Sequence, residues 1–143
     1  MRRSAARTPD ASALRFGERH WTFAELDRGA NRLARAFVDA GLAPGERLAA
    51  YARNSDGYVL AWLACLRAGV IHVPINYALR PDELGYIVRQ SGAAALLHDD
   101  ALTANVEASP DAGAVRPRGR FAGAGDDFDV LALAQDERAD ASA

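Results

Sequence analysis

The chain has 143 residues, the size of one ordinary domain and too few for two domains with full cores. Half are hydrophobic and a quarter charged, the composition of a globular protein. All 17 basic residues are arginine, so chemistry that needs an amine or ammonium is excluded from these residues: no P-loop lysine, Schiff base or lysine clamp is available. The net charge of −2 divides unevenly, with 13 arginines against 9 carboxylates in residues 1–98 and 4 against 10 in residues 99–143. Without a basic stripe, nucleic acid is not expected as a partner. No run reaches the roughly 18 apolar residues of a membrane span, and no apolar stretch of secretion-signal length follows the basic start Met1-Arg2-Arg3. The lone Cys65 cannot form an internal disulfide, and a reducing, cytoplasmic setting is expected.

In chain order, residues 13–22 form two short alternating runs around Gly17-Glu18, which predicts a hairpin. Thr22 and Glu25 have the spacing of a capping box, which starts a helix. Its apolar stripe is Phe23, Leu26, Ala30, Leu33 and Phe37, and Gly41 ends it. Residues 47–53 make a short apolar run suited to a strand covered on both faces. Ser55 caps a second predicted helix carrying Val59, Leu60, Trp62, Leu63 and Leu66, which stops at Ala68-Gly69. Residues 70–75 are a β-branched strand in which Pro74 favours a sheet edge or strand end. Arg80-Pro81-Asp82-Glu83 opens a third helix with proline in the first turn and acids near the positive dipole end. Ser91-Gly92 ends it, and residues 93–97 give a third strand. Strands alternating with helices predict an α/β fold: a layered sheet with covering helices and an N-terminal β-hairpin.

From Asp99 onward the pattern fades. Residues 99–143 are expected to be an acidic, alanine-rich, mostly irregular linker-like tail, with a weak helix around 127–135. The patterned unit is expected to span residues 8–98.

Four segments carry a resemblance to a known family. They are Trp21-Thr22-Phe23-Ala24-Glu25-Leu26, Asn31-Arg32-Leu33-Ala34, Gly41-Leu42-Ala43-Pro44-Gly45-Glu46-Arg47, and Leu66-Arg67-Ala68-Gly69-Val70-Ile71-His72-Val73-Pro74-Ile75-Asn76. Their order and spacing resemble the N-terminal segment of the adenylate-forming superfamily, which includes acyl-CoA synthetases, peptide-synthetase adenylation domains and luciferases. The stretch Pro74 to Leu84, with Asn76 where peptide-synthetase domains usually carry Asp-Pro, resembles the acyl-CoA synthetase branch. The resemblance implies part of an AMP-forming carboxylic or fatty acid–CoA ligase, with ATP, Mg²⁺, CoA and a carboxylic acid as the partners of a complete enzyme. It also implies a Ser/Thr/Gly-rich loop ending in Pro-Lys-Gly and a C-terminal catalytic lysine. Neither occurs in these 143 residues, so no catalytic residue is assigned. The chain is expected to be an amino-terminal fragment, cut before that loop and inactive alone.

In some relatives an arginine at the position of Ala78 contacts the CoA nucleotide. Arg80 is the nearby cation able to substitute, and is the candidate cofactor-binding residue, with a solvated helix-start arginine as its bland alternative. Arg116, Arg118 and Arg120 alternate at period two, so they form either an anion-facing edge or a simple surface loop around Pro117 and Gly119. His20, His72 and His98 share no ligand spacing, and His72 is expected to face a loop or a hydrogen-bonding partner. Cys65 is read as a small buried hydrophobe, and Asp126, Asp127 and Asp129 as a solvated charge run, not a calcium loop. No metal ligand is assigned, and Trp21, Phe23 and Phe37 are read as core. Two rival readings remain: a non-enzymatic remnant or interaction module that self-associates through uncovered Trp62, Leu63 and first-helix stripe, and an unrelated α/β nucleotide-binding domain, disfavoured by the missing glycine-rich loop.

Overall fold

The computed structural model describes residues 2–123 and 127–137. After a short helix α1 (Arg2–Arg7), strands β1 (Ser12–Phe16) and β2 (Arg19–Thr22) form the expected antiparallel hairpin, with Gly17 at φ +58° in its turn. Helix α2 (Phe23–Asp39) starts at the predicted capping box. The Thr22 amide donates to Glu25 Oε1 at 2.9 Å, and the Glu25 amide donates to Thr22 Oγ1 at 3.1 Å. Strand β3 (Arg47–Tyr51) leads to α3 (Asp56–Ala68), where Ser55 Oγ accepts from the Tyr58 amide at 3.1 Å and Gly69 closes the helix in the left-handed region that side chains avoid. Next come β4 (Ile71–Ile75), α4 (Pro81–Ser91) and β5 (Ala95–His98).

Beyond residue 98 the chain departs from the irregular tail expected above. A single turn of tight helix (Asp100–Leu102) is followed by α5 (Thr103–Ala108), α6 (Pro110–Gly113), β6 (Arg118–Arg120), β7 (Phe128–Asp129) and α7 (Val130–Gln135). The reason is packing supplied by distant segments. Phe121, Phe128, Val130, Leu131 and Ala134 all enter the core built by α2 and α3. Arg32, itself buried, donates to the Ala134 carbonyl at 2.9 Å and so satisfies an end group of α7. The weak helix expected near 127–135 is present as α7, while Asp126 and the terminal acidic segment from Arg138 lie outside the described residues.

The main sheet is wholly parallel, in the order β4-β3-β5-β6-β7. Side chains alternate across it. Leu48, Ala50 and Leu97 face α2, α3 and α7, whereas Ala49, Tyr51 and Leu96 face α4, α5 and α6. Burial on both faces explains the unbroken apolar run of β3. Pro74 sits on the edge strand β4, where its missing amide costs no ladder bond. Arg67 ties α3 to α2, donating to the Asp27 carbonyl and to Asn31 Oδ1 through Nη1 and pairing with Asp27 Oδ1 at 2.8 Å through Nη2.

Three other expectations are corrected. Leu63 and the stripe residues Leu26, Ala30, Leu33 and Phe37 are buried within this chain, because the packing of α2, α3 and α7 covers them, so only Trp62 and Leu66 of the α3 surface are exposed. His72 meets no hydrogen-bonding partner at Nε2 and instead packs edge-on against the Tyr58 ring at 5.2 Å. Arg118-Gly119-Arg120 is an internal strand, not a surface loop: Gly119 lets β7 approach so closely that a Cβ there would lie 2.4 Å from that of Phe128.

Candidate functional site

The strand order creates one topological switch. The crossover after β3 runs to one side through α3 to β4, and the next returns through α4 to β5 on the other side of β3. Between the carboxyl ends of β3 and β5 the connections diverge and leave a crevice, the usual ligand position in open parallel sheets. A cleft of about 500 Å³ opens there. Its walls come from the hairpin (Phe16, Arg19), the segment after β3 (Arg53 to Asp56), the segment after β4 (Tyr77), the segment after β5 (Asp99 to Leu102), and Phe121 and Leu131.

Most charges in this cleft are already matched. Asp56, at the start of α3, has no exposed surface. It accepts from Arg19 Nε at 2.6 Å, Arg19 Nη2 at 3.0 Å, Trp21 Nε1 at 3.0 Å and the Gly57 amide at 3.0 Å. Burial works to raise its pKa, but the Arg19 and Trp21 hydrogen bonds, the Arg19 charge and the Gly57 amide outweigh it and hold the carboxyl below its usual value. Asp100 pairs with Arg120, and Asp99 Oδ2 accepts from the backbone amide of Arg53 at 2.9 Å. The guanidinium of Arg53 lies 4.5 Å from the centroid of the Tyr77 ring.

The loop that carries Tyr77 is held in shape by local chemistry. Asn76 Oδ1 accepts from the Ala78 amide at 2.9 Å, an Asx turn, and the Asn76 carbonyl accepts from the Leu79 amide at 3.1 Å. Tyr51, fully buried, donates its hydroxyl to the Leu79 carbonyl at 2.6 Å and accepts from Asn105 Nδ2 at 3.1 Å. Asn76, read above only as a family mark, thus has a turn-forming role.

Arg80 does not line the cleft. It stands at the start of α4 with its side chain 80% exposed and 3.7 Å from Glu83 Oε1, while its amide donates to the same oxygen at 3.1 Å. Arg118 donates to the Gly113 carbonyl at 3.2 Å, and its amide donates to Asp127 Oδ2 at 2.9 Å. Asp129 caps α7 by accepting from the Ala132 amide at 3.1 Å. Asp127 is exposed, as expected of a solvated charge, and Asp129 half-buried; both also accept from the backbone. Cys65 is buried, and burial pushes its thiol up to about 12, which makes it inert at neutral pH. His72 is held below its usual value by burial.

The sequence reading missed Arg53, Tyr77, Asp99 and Asp100. The signal available was position: Arg53 and Asp99 each follow an apolar strand, where carboxyl ends of parallel strands present side chains to ligands. Among the described residues no group of three or more His, Cys, Asp or Glu side chains could hold a metal ion. Among the described residues there is thus no carboxylate cluster for a divalent cation, and the sequence has no lysine to set against a phosphate. No described helix is long and apolar enough to cross a membrane.

The sequence profile of a family described as AMP-binding enzyme matches residues 1–141. Feruloyl-CoA synthase of Amycolatopsis sp. is 40% identical over 96 residues, which cover 67% of this chain and 20% of that protein. Malpibaldin synthetase of Mortierella alpina is 40% identical over 89 residues, covering 62% of this chain and 2% of that protein. Among solved structures, the O-succinylbenzoate coenzyme A synthetase of Bacillus subtilis in complex with ATP and magnesium ion superposes with a TM-score of 0.74 at 25% identity, covering 94% of this chain and 33% of that one. The chain thus spans about a fifth of the length of the feruloyl-CoA synthase.

Proposed function

Because the chain belongs to the AMP-binding enzyme family, we propose that it forms the amino-terminal part of an AMP-forming acid–CoA ligase and does not adenylate an acid by itself. The observation that carries this reading is the family match across residues 1–141 together with 40% identity to a feruloyl-CoA synthase. Similarity to a peptide synthetase is equally high, and Asn76, where such domains usually carry Asp-Pro, is what favours the CoA-ligase branch. The reaction of the complete enzyme has two steps. A carboxylate oxygen attacks the α-phosphate of ATP, expelling pyrophosphate and leaving acyl-AMP. The CoA thiol, losing its proton, then attacks the acyl carbon and expels AMP. Both steps build negative charge that cations and backbone amides must meet. This chain offers arginines and no lysine, which supports inactivity of the 143 residues alone.

Within that reading Arg80 contacts a phosphate of the CoA nucleotide. Its exposure and its place at a helix start support the role. In an assembled enzyme, Arg80→Ala raises the KM for CoA and leaves that for ATP near its original value; equal changes in both reject the role. Reading the codons beyond Ala143 tests the larger proposal: a Ser/Thr/Gly-rich loop ending in Pro-Lys-Gly, in frame or one frameshift away, is expected, and unrelated sequence counts against it.

A second reading, a partner-binding module of the same fold, is favoured by exposed Trp62, Leu66 and Ile71 on α3 and the edge strand β4. Sedimentation of the purified chain distinguishes them, since the module predicts a defined self-associated species that dissociates when Trp62 is replaced by Arg.

A further inference from the structure

We propose that His72 is an acid-sensitive latch between the edge strand β4 and the first turn of α3, and that its protonation loosens that turn together with the cleft wall it carries. The inference goes beyond the ligase reading and does not depend on it. His72 is half-buried beside Leu48 of β3, on the sheet face that α3 covers. Its Nε2 is enclosed and has no hydrogen-bond partner. A neutral ring keeps its one proton on Nδ1 and places only a lone pair in that enclosed position. An imidazolium carries a proton on both nitrogens, so it would bury an N–H and part of a charge against no acceptor.

The surrounding groups do not offset such a charge. The ring in contact is Tyr58, edge-on at 5.2 Å, whose phenol burial pushes up and keeps neutral. Elsewhere on α3, Asp56 is taken up by Arg19 and Trp21, Arg67 by Asp27 and Asn31, and the Cys65 thiol is pushed up to about 12. On β3, Arg47 points to the opposite sheet face and donates to the Ser91 carbonyl. That face is also the one covered by α4, with Asp82, Glu83, Tyr86 and Arg89. Burial accordingly holds His72 below its ordinary value, so the closed packing is fully favoured above about pH 6.5 and loses that advantage as pH falls below it. The effect passes beyond His72 through Tyr58, which also stacks on Phe121, with centroids 5.8 Å apart and planes at 27°. The Tyr58 amide closes the Ser55 cap, and the adjacent Gly57 is so close to Phe121 that a Cβ would lie 3.3 Å from its carbonyl oxygen. The first turn of α3 is thus wedged between β4 and the segment after β6. Ser55, Asp56 and Phe121 line the cleft, so displacing Tyr58 moves that wall.

Two measurements on the purified 143-residue chain test this. NMR of ¹³C-labelled histidine follows the His72 ring, assigned by its absence from His72→Phe; it is expected to be neutral at pH 7 and to take up a proton only below about pH 6.5. Amide hydrogen exchange, corrected for the intrinsic rate, follows the latch. An opening that frees the ring to protonate is favoured by up to about tenfold one pH unit below the ordinary histidine value. Protection of the amides of residues 58–61 should therefore fall several-fold between about pH 7.5 and 5.5, while that of β5 at the sheet centre holds. His72→Phe keeps a ring against Tyr58 and cannot titrate, and His72→Gln is neutral throughout; each removes this pH dependence, with a thermal melt confirming that the variant is folded. The wild-type readings stand whether or not either variant folds. The proposal is overturned by a His72 ring that titrates at or above its ordinary value, by unchanged protection of residues 58–61 in acid, by a loss spread evenly over the whole sheet, or by the same acid loss in a folded variant.

Discussion

Replacing Phe128 by Ala tests whether the last third of the chain belongs to the core. Phe128 is 6% exposed, and its ring meets that of Phe37 edge-to-face, with centroids 5.7 Å apart and planes at 73°. Removing a buried phenylalanine ring costs about 3–5 kcal/mol, combining lost transfer energy with the cavity left behind. The contact with the fully buried Phe37 leaves little room for collapse, so a value near the middle, about 4 kcal/mol, is expected. Against a typical domain stability of about 5–15 kcal/mol that is a large fraction. At this chain length it corresponds to a fall in Tm of roughly 13 °C. Urea and thermal unfolding followed by circular dichroism and by Trp21 fluorescence measure it, since Trp21 is buried in the same cluster. If residues 99–143 were a solvated linker, the substitution would change stability by no more than about 0.5 kcal/mol. That result refutes the packing described for β7 and α7.

Other substitutions probe single contacts. Arg19→Ala leaves the Asp56 carboxylate buried with only the Trp21 and Gly57 donors. Breaking a buried pair costs about 3–5 kcal/mol, and because Arg19 is half exposed the expected loss is about 2–3 kcal/mol at pH 7. The wild-type Asp56 carboxyl lies below its unfolded value, so its contribution is full above about pH 4 and is lost as pH falls through the folded value; the gap between wild type and variant should narrow in that acid range, and a constant gap contradicts the ion-pair account. Gly119→Ala places a Cβ 2.4 Å from that of Phe128 and 3.0 Å from its carbonyl oxygen, so β6 and β7 must separate, at a cost of about 1–3 kcal/mol in urea unfolding; an unchanged midpoint argues against this strand pairing. Cys65 should react with Ellman's reagent at least about 10³-fold more slowly in the native chain than in urea, since labelling must wait for opening of a structure stable by about 5 kcal/mol; immediate native reaction contradicts its burial.

The parts of the fold legible in sequence were those specified by neighbours along the chain. The Thr22–Glu25 box, Ser55, and the closing glycines 69 and 92 act over three or four residues, and each appears where spacing predicts it. Strands β6 and β7 were illegible because their stability is supplied from elsewhere. Arg118-Gly119-Arg120 has no apolar pattern at all, yet it is held by ladders to β5 and β7 and by the Asp127 carboxylate. Helix α7 is six residues long, too short to form alone, and persists because α2 and α3 bury it. The candidate site was illegible for the same reason. Arg53 and Tyr77 stand 24 positions apart, and only the crossover through α3 and β4 brings guanidinium and ring into contact.

ATP–pyrophosphate exchange by the purified chain, in the presence of ferulate and Mg²⁺ and after a cooperative melt has shown it to be folded, tests the central claim most directly. A chain that contributes one part of an acid–CoA ligase and carries no lysine gives no exchange above the acid-free background. Acid-dependent exchange, abolished by removing the chain, would show that these 143 residues form an acyl-adenylate unaided and would contradict the account.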